Sequence, residues 1–180
     1  MRGTEWCIFT LQETIKHRWR KKLNSYVLFI DLKKAYDSLS PSALWRILST
    51  TLGLPEQTIN FHRTAYAERI TEFTFNGSSV DSWNQQLGVG QGDILSPLLF
   101  NLFIDSLSRY LNTPDSLLDG VTVGEGNEDI AITLNHILYA DDLAAISGSR
   151  EGLERLGTRV TQWCAQWAWQ SVLEHQKQLI

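Results

Sequence analysis

Tyr26-Val27-Leu28-Phe29-Ile30 is apolar without a break and stops at Asp31. A strand with one wet face alternates apolar and polar residues, so an unbroken run of strand length marks a strand covered on both faces. That strand needs partners beside it and layers above and below it, which commits the chain to a sheet packed with helices. Two further apolar quartets, Ile137-Leu138-Tyr139-Ala140 and Leu143-Ala144-Ala145-Ile146, are separated only by Asp141-Asp142. They read as a tight hairpin with acids at its tip.

The remaining segments fill in around these strands. A first helix is predicted over about residues 6–23, with Ile8, Leu11, Ile15 and Trp19 recurring at helical spacing on its apolar face. Ser40-Pro41 reads as a helix start and Gly53 as its stop, with Leu44, Ile47 and Leu48 between them. Another helix follows Pro55 to about Arg69. Asn76-Gly77, flanked by Ile70–Phe75 and Val80–Leu87, signals a hairpin, because both turn residues tolerate positive φ. Ser96-Pro97 starts a helix with Leu98, Leu99, Leu102, Phe103 and Leu107 on one side. Residues 113–127 read as loop with a short strand near Val121. A last helix over about 150–168 buries Leu153, Leu156, Val160, Trp163 and Trp167. This order predicts an α+β fold, an antiparallel sheet backed by helices.

The 180 residues, 43% hydrophobic, suffice for one globular domain with a real core. No apolar run reaches the roughly 18 residues of a membrane span, and the N-terminus has no apolar signal-peptide core. Cys7 and Cys164 stand far apart without a CxxC or His-x-His partner. A zinc site or disulfide framework is therefore not expected, and a reducing, intracellular compartment is. The net charge of -4 argues against a phosphate-binding surface. One segment runs the other way, Lys16-His17-Arg18-Trp19-Arg20-Lys21-Lys22. It reads either as a nucleic-acid contact or as the solvated end of the first helix, and the second is the simpler reading.

The acids carry more information. Asp31 ends a buried strand and Asp141-Asp142 tip a hairpin, so each lies close to an apolar core and gains from neutralisation, for which a metal ion is one option. If the two strands are sheet neighbours, Asp31 and Asp141 meet. Oxygen-only ligands favour Mg²⁺ or Mn²⁺, and two such ions roughly 3.5–4 Å apart can hold both oxygens of an in-line phosphoryl transfer. The plain alternative is an ordinary strand end and an ordinary Asp-Asp turn.

Read together, three segments resemble the palm motifs of reverse transcriptases, those of non-LTR (LINE-type) retrotransposons above all. Phe29-Ile30-Asp31-Leu32-Lys33-Lys34-Ala35-Tyr36-Asp37 is similar to the first, of the form D-x-x-K-A-F/Y-D. Gly88-Val89-Gly90-Gln91-Gly92-Asp93-Ile94-Leu95-Ser96-Pro97-Leu98-Leu99-Phe100-Asn101 is similar to the second, and Tyr139-Ala140-Asp141-Asp142 is the Y-A-D-D box. The resemblance runs from about Gly3 to about Trp167. It implies that Asp31 and Asp141 share two Mg²⁺ ions (Mn²⁺ as a substitute), that Asp142 completes the acidic trio, and that Leu32 offers its backbone carbonyl to the metal. It implies that Tyr36, five residues after Asp31, lies under the incoming sugar and excludes a 2′-hydroxyl. Gln91 and Gly92 would line the nucleotide and template pocket, the glycine by letting backbone approach closely. Asp37, Asp93, Ser96 and Pro97 read as structural, and Lys33 and Lys34 either touch phosphates or balance nearby acids. The implied reaction is addition of deoxynucleoside triphosphates to a DNA primer on an RNA template.

The resemblance also implies a division: residues 1–24 as the end of a fingers region, 25–180 as the palm, both belonging to a longer polymerase and inactive alone. Gly90 stands where the family pattern has Arg, and Ile94 where it has Pro. The W-G-L-x-x-N-x-x-K-T segment is poorly matched after Trp167, with His175 at the position of its lysine and Lys177 two residues late. Rival readings are a group II intron or retron enzyme, and a catalytically dead palm that only binds nucleic acid. Retention of all three acids weighs against the second. A nucleotide cyclase would need a Gly-Gly-Asp/Glu-Glu-Phe segment, which the sequence does not contain.

Overall fold

A computed structural model describes residues 3–32, 35–67, 70–84, 88–89, 94–124, 131–167 and 177–179. They form two compact units, Met1–Lys33 with Ile104–Ile180, and Lys34–Phe103.

The first unit is built on a four-stranded antiparallel sheet. Its strands are β1 (Tyr26–Asp31), β6 (His136–Tyr139), β7 (Asp142–Ser147) and β8 (Lys177–Leu179), in the order β6-β7-β1-β8. A two-stranded ribbon, β4 (Val121–Val123) with β5 (Ile132–Leu134), adds to it. The apolar run of β1 is explained by what covers it. Val27 and Ile146 cluster with Val121, with Leu11 of α1 (Thr4–Arg20) and Phe29 against them. Ala145 clusters with Leu153 and Leu156 of α7 (Arg150–Gln166), with Tyr26 and Leu28 against them. Successive β1 residues thus point alternately to α1 and to α7, and neither face is wet. Ser149 starts α7 by accepting a hydrogen bond from the Gly152 amide at 3.0 Å. Leu153, Leu156, Val160 and Trp163 are buried as predicted, whereas Trp167 falls just past the helix end and Cys164 takes an inward position.

The inward face of α1 differs from the sequence reading. Ile8, Ile15 and Trp19 are exposed, Trp19 by 79%, while Thr14 and Arg18 are buried and Leu11 half-buried. Arg18 is the reason: its guanidinium donates to the Asn24 carbonyl at 2.6 and 3.1 Å and to Ser25 Oγ at 3.1 Å, closing the turn into β1. The rest of the basic segment that is charged at neutral pH, Lys16, Arg20, Lys21 and Lys22, is exposed. The helix also stops at Arg20 rather than at 23, because Lys22 turns left-handed (φ 58) and Leu23 donates back to the Arg18 carbonyl at 2.9 Å.

The second unit holds α2 (Ala35–Ser38), α3 (Pro41–Thr50), α4 (Glu56–Ala67), the hairpin β2 (Ile70–Phe75) and β3 (Ser78–Asn84), and the start of α5 (Ser96–Leu111). Pro41 opens α3 as predicted, but Ser40 Oγ pairs with Ser42 Oγ at 2.8 Å rather than capping an amide. Leu44, Ile47 and Leu48 are buried. Asn76 (φ 50) and Gly77 (φ 77) make the tight turn between β2 and β3. Leu99, Phe103 and Leu107 of α5 are buried, but Leu98 is exposed, since the inward stripe runs 99, 103, 107 with Phe100, Ile104 and Leu111 beside it. The stretch predicted as loop contains α6 (Pro114–Leu117) as well as the expected strand at Val121.

Candidate active site

Pairing of β1 with β7 puts Asp31 opposite Asp142, and the Leu32 amide lies 3.4 Å from the Asp141 carbonyl. The first strand and the acidic hairpin are therefore sheet neighbours. The hairpin is as tight as the sequence predicts but its turn is shifted by one residue: Tyr139 pairs with Asp142, so the turn is Ala140-Asp141 and Asp142 opens β7 rather than sitting at the tip. Ala140 adopts φ 51 to make it, a left-handed conformation that costs a residue with a Cβ about 1–2 kcal/mol. The Leu32 side chain is 1% exposed, so only its backbone can address a ligand.

Directly opposed residues share a sheet face, so Asp31 and Asp142 project from the same one, as do Phe29 and Ala144. Along that face runs a groove of about 410 Å³, bounded by Cys7, Ile8 and Leu11 of α1 and by Phe29, Ile137 and Tyr139, with Asp31 and Asp142 in its lining. Asp142 is held above the usual carboxylate range by partial burial and by the nearby charges of Asp141 and Asp31. Among the described residues none of the three acids forms an ion pair. No three Asp, Glu, His or Cys side chains among the described residues already form a group that could hold a metal ion. The donor set nonetheless fits Mg²⁺, which takes one or two protein carboxylates and completes its shell with water and phosphate rather than requiring a protein cage. Crowded, mutually repelling carboxylates gain from such a cation.

Of the other residues singled out in the sequence, Tyr36 belongs to the second unit. Tyr36 stacks on Phe100, centroids 4.5 Å apart and planes at 23°. The Gly88 amide donates to Leu39 O at 2.8 Å and the Val89 amide to Tyr36 O at 3.0 Å, so the second motif begins against the backbone of the first. Gly88 has φ 82, and a Cβ there would lie 2.8 Å from Tyr36 O, so the position demands glycine. Lys33, Lys34, Gly90, Gln91, Gly92, Asp93 and His175 lie outside the described residues. Lys177 pairs with Phe29 in β8, a strand no periodicity announced. Sequence reasoning also passed over Asn135 and His136, a polar pair buried where β6 begins. The only signal was a polar dipeptide interrupting an apolar approach to the hairpin.

An antiparallel sheet with helices on it and acids at the ends of two neighbouring strands defines a palm. The chain belongs to the reverse transcriptase (RNA-dependent DNA polymerase) family, whose model matches residues 1–177, and is of the non-LTR type. It is 34% identical over 142 residues to the Retrovirus-related Pol polyprotein from type-2 retrotransposable element R2DM of Drosophila melanogaster, covering 79% of this chain and 12% of that protein. It is 29% identical over 150 residues to the corresponding type-1 R2 polyprotein of Nasonia vitripennis, covering 83% of this chain and 14% of the relative. The chain thus spans less than a fifth of the length of these relatives. In fold it is similar to apo telomerase from Candida Tropicalis, with a TM-score of 0.68 at 13% identity, covering 98% of this chain and 32% of that one.

Proposed function

We propose that the chain is the catalytic palm of an RNA-directed DNA polymerase that adds deoxynucleotides to the 3′-hydroxyl of a DNA primer on an RNA template. In this reading it works within a longer polymerase, inside the cell. The observation that supports it best is the pairing of Asp31 with Asp142, one residue from Asp141. No helix among the described residues is long and apolar enough to cross a membrane.

Asp31 and Asp141 would hold two Mg²⁺ ions, with Asp142 and the Leu32 carbonyl beside them, and Mn²⁺ as a substitute. Bound there, divalent ions supply the positive charge that acidifies the primer hydroxyl and balances the triphosphate and the departing pyrophosphate. The chain's own residues position the substrates. The Tyr36 ring, held flat on Phe100, forms the platform under the sugar and leaves no room for a 2′-hydroxyl. The Gln91 amide bonds sugar or triphosphate without adding charge, and Gly92 lets the backbone come close.

Primer extension on an RNA template by the parent-length protein tests this. Asp141→Ala should lose roughly 10²–10³-fold or more in rate, the scale of removing a principal electrostatic contributor to the transition state. Equal extension by the two proteins removes the mechanism. The 180 residues alone should bind Mg²⁺ weakly and extend primers little.

A further inference from the structure

We propose that Asn135 and His136 are positioning residues that anchor the acidic hairpin, an inference that rests on the polymerase reading. In the described sheet β6 is an edge strand, bonded to β7 and to no strand on its other side. It leads directly into the turn at Ala140-Asp141. A strand tied along one edge only is a lever, and its tip is placed as well as its root is fixed.

The root is fixed by a chain of hydrogen bonds whose direction can be worked out. Asn135 Nδ2 lies 2.6 Å from Leu111 O and 3.2 Å from Ser116 O, and since carbonyls only accept, the amide nitrogen must be the one facing them. Asn135 Oδ1 is therefore the atom 2.7 Å from His136 Nδ1, and because it only accepts, Nδ1 carries the proton. His136 Nε2 is then an acceptor, and Ser108 Oγ, 2.9 Å away, donates to it. Burial pushes the imidazole down to about 4, so it stays neutral and this tautomer persists at neutral pH. Asn135 also uses its backbone, accepting from the Ile146 amide at 2.9 Å. One continuous path thus joins Ser108 and Leu111 of α5 and Ser116 of α6 to the start of β6. Asn135 is 1% exposed, so water cannot substitute for these partners. Neither residue reaches the acids, which lie five and more positions further on. Their effect must travel through the placement of the hairpin.

The test uses the parent-length polymerase and separates positioning from stability. Asn135→Ala unhooks the root, Ser108→Ala removes one bond with little risk to folding, and Leu156→Ala serves as a destabilised control that removes none of these hydrogen bonds. Displacing a reacting group by about 1 Å costs on the order of 100-fold in rate. Asn135→Ala should therefore lower kcat by about that factor and raise the Mg²⁺ concentration for half-maximal extension several-fold, with primer–template affinity unchanged. Ser108→Ala should shift both in the same direction by less. His136→Asn, which keeps a donor toward Asn135 Oδ1, should retain most of what His136→Ala loses. Leu156→Ala should lower Tm without moving the Mg²⁺ midpoint. If Asn135→Ala matches Leu156→Ala in kcat and Mg²⁺ midpoint at equal fraction folded, the anchoring role is wrong. If the wild-type protein extends no primer at all, the polymerase reading falls first and takes this one with it.

Discussion

Gly88→Ala is the substitution whose cost the structure specifies most closely. Two separate penalties apply. The residue sits at φ 82, where a side chain costs about 1–2 kcal/mol in backbone conformation alone. The new Cβ would also lie 2.8 Å from Tyr36 O, 3.0 Å from Asp37 Cα and 3.1 Å from Asp37 O. All three are backbone atoms, which cannot rotate away, and forcing a group into such space costs about 1–3 kcal/mol. The total is about 2–5 kcal/mol. Gly77→Ala isolates the first penalty, for Gly77 has φ 77 but nothing within 4 Å of its Cβ position. It should cost only about 1–2 kcal/mol. Urea unfolding of the two variants measures the difference, and amide exchange at Gly88 and Val89 shows whether their bonds to Leu39 and Tyr36 have opened. In the proposed reading Tyr36 screens the sugar, and it shares that backbone, so Gly88→Ala should also reject ribonucleotides less strongly in primer extension. Equal destabilisation by the two substitutions would refute the argument, since it would mean that the contact with the first motif contributes nothing.

Three further outcomes follow from the core and its titratable groups. Leu156→Ala removes a side chain that is 1% exposed between α7 and the sheet and should cost about 2–5 kcal/mol by urea unfolding. His136 has its pKa lowered by burial from 6.5 to about 4, so the unfolded chain binds the proton first on acidification. Its contribution to stability is complete above about pH 6.5 and falls by about 3 kcal/mol as the pH drops to about 4. Unfolding measured across that range should show this slope in the wild type and lose it in His136→Asn. Cys164 is fully buried and its thiol is pushed up to about 11, whereas Cys7 lies half-buried on the groove. Alkylation of the native protein near pH 8 should label Cys7 and spare Cys164 until urea is added.

What the sequence made legible was whatever local chemistry decides. The unbroken apolar run of β1 declared its two covered faces, and Asn76-Gly77 and the Asp141-Asp142 hairpin announced turns that side-chain and backbone sterics dictate. The meeting of Asp31 with the hairpin was legible only as a condition, that the two strands be neighbours, and the register of β1 with β7 meets it. Hidden were the features set by partners distant in sequence. Arg18 looked like part of a solvated run because nothing local shows that its guanidinium turns back onto Asn24 and Ser25. Asn135 and His136 gained meaning only once Leu111, Ser116 and Ser108 came within reach. Strand β8 is three residues long, too short for any periodicity to show.

The pairing of Asp31 with Asp142 has a consequence for biogenesis. The two acids stand roughly 110 positions apart in the chain, so their meeting is among the longest loops the fold must close. At ribosomal speeds of about 5–20 residues per second, β1 leaves the ribosome roughly 5–20 s before β7, the strand that carries Asp142, exists. Until then that edge of the strand is open and the acids are strangers, so a prematurely released polypeptide is sticky. Shielding Tyr26–Ile30 during that interval would protect the yield of folded protein.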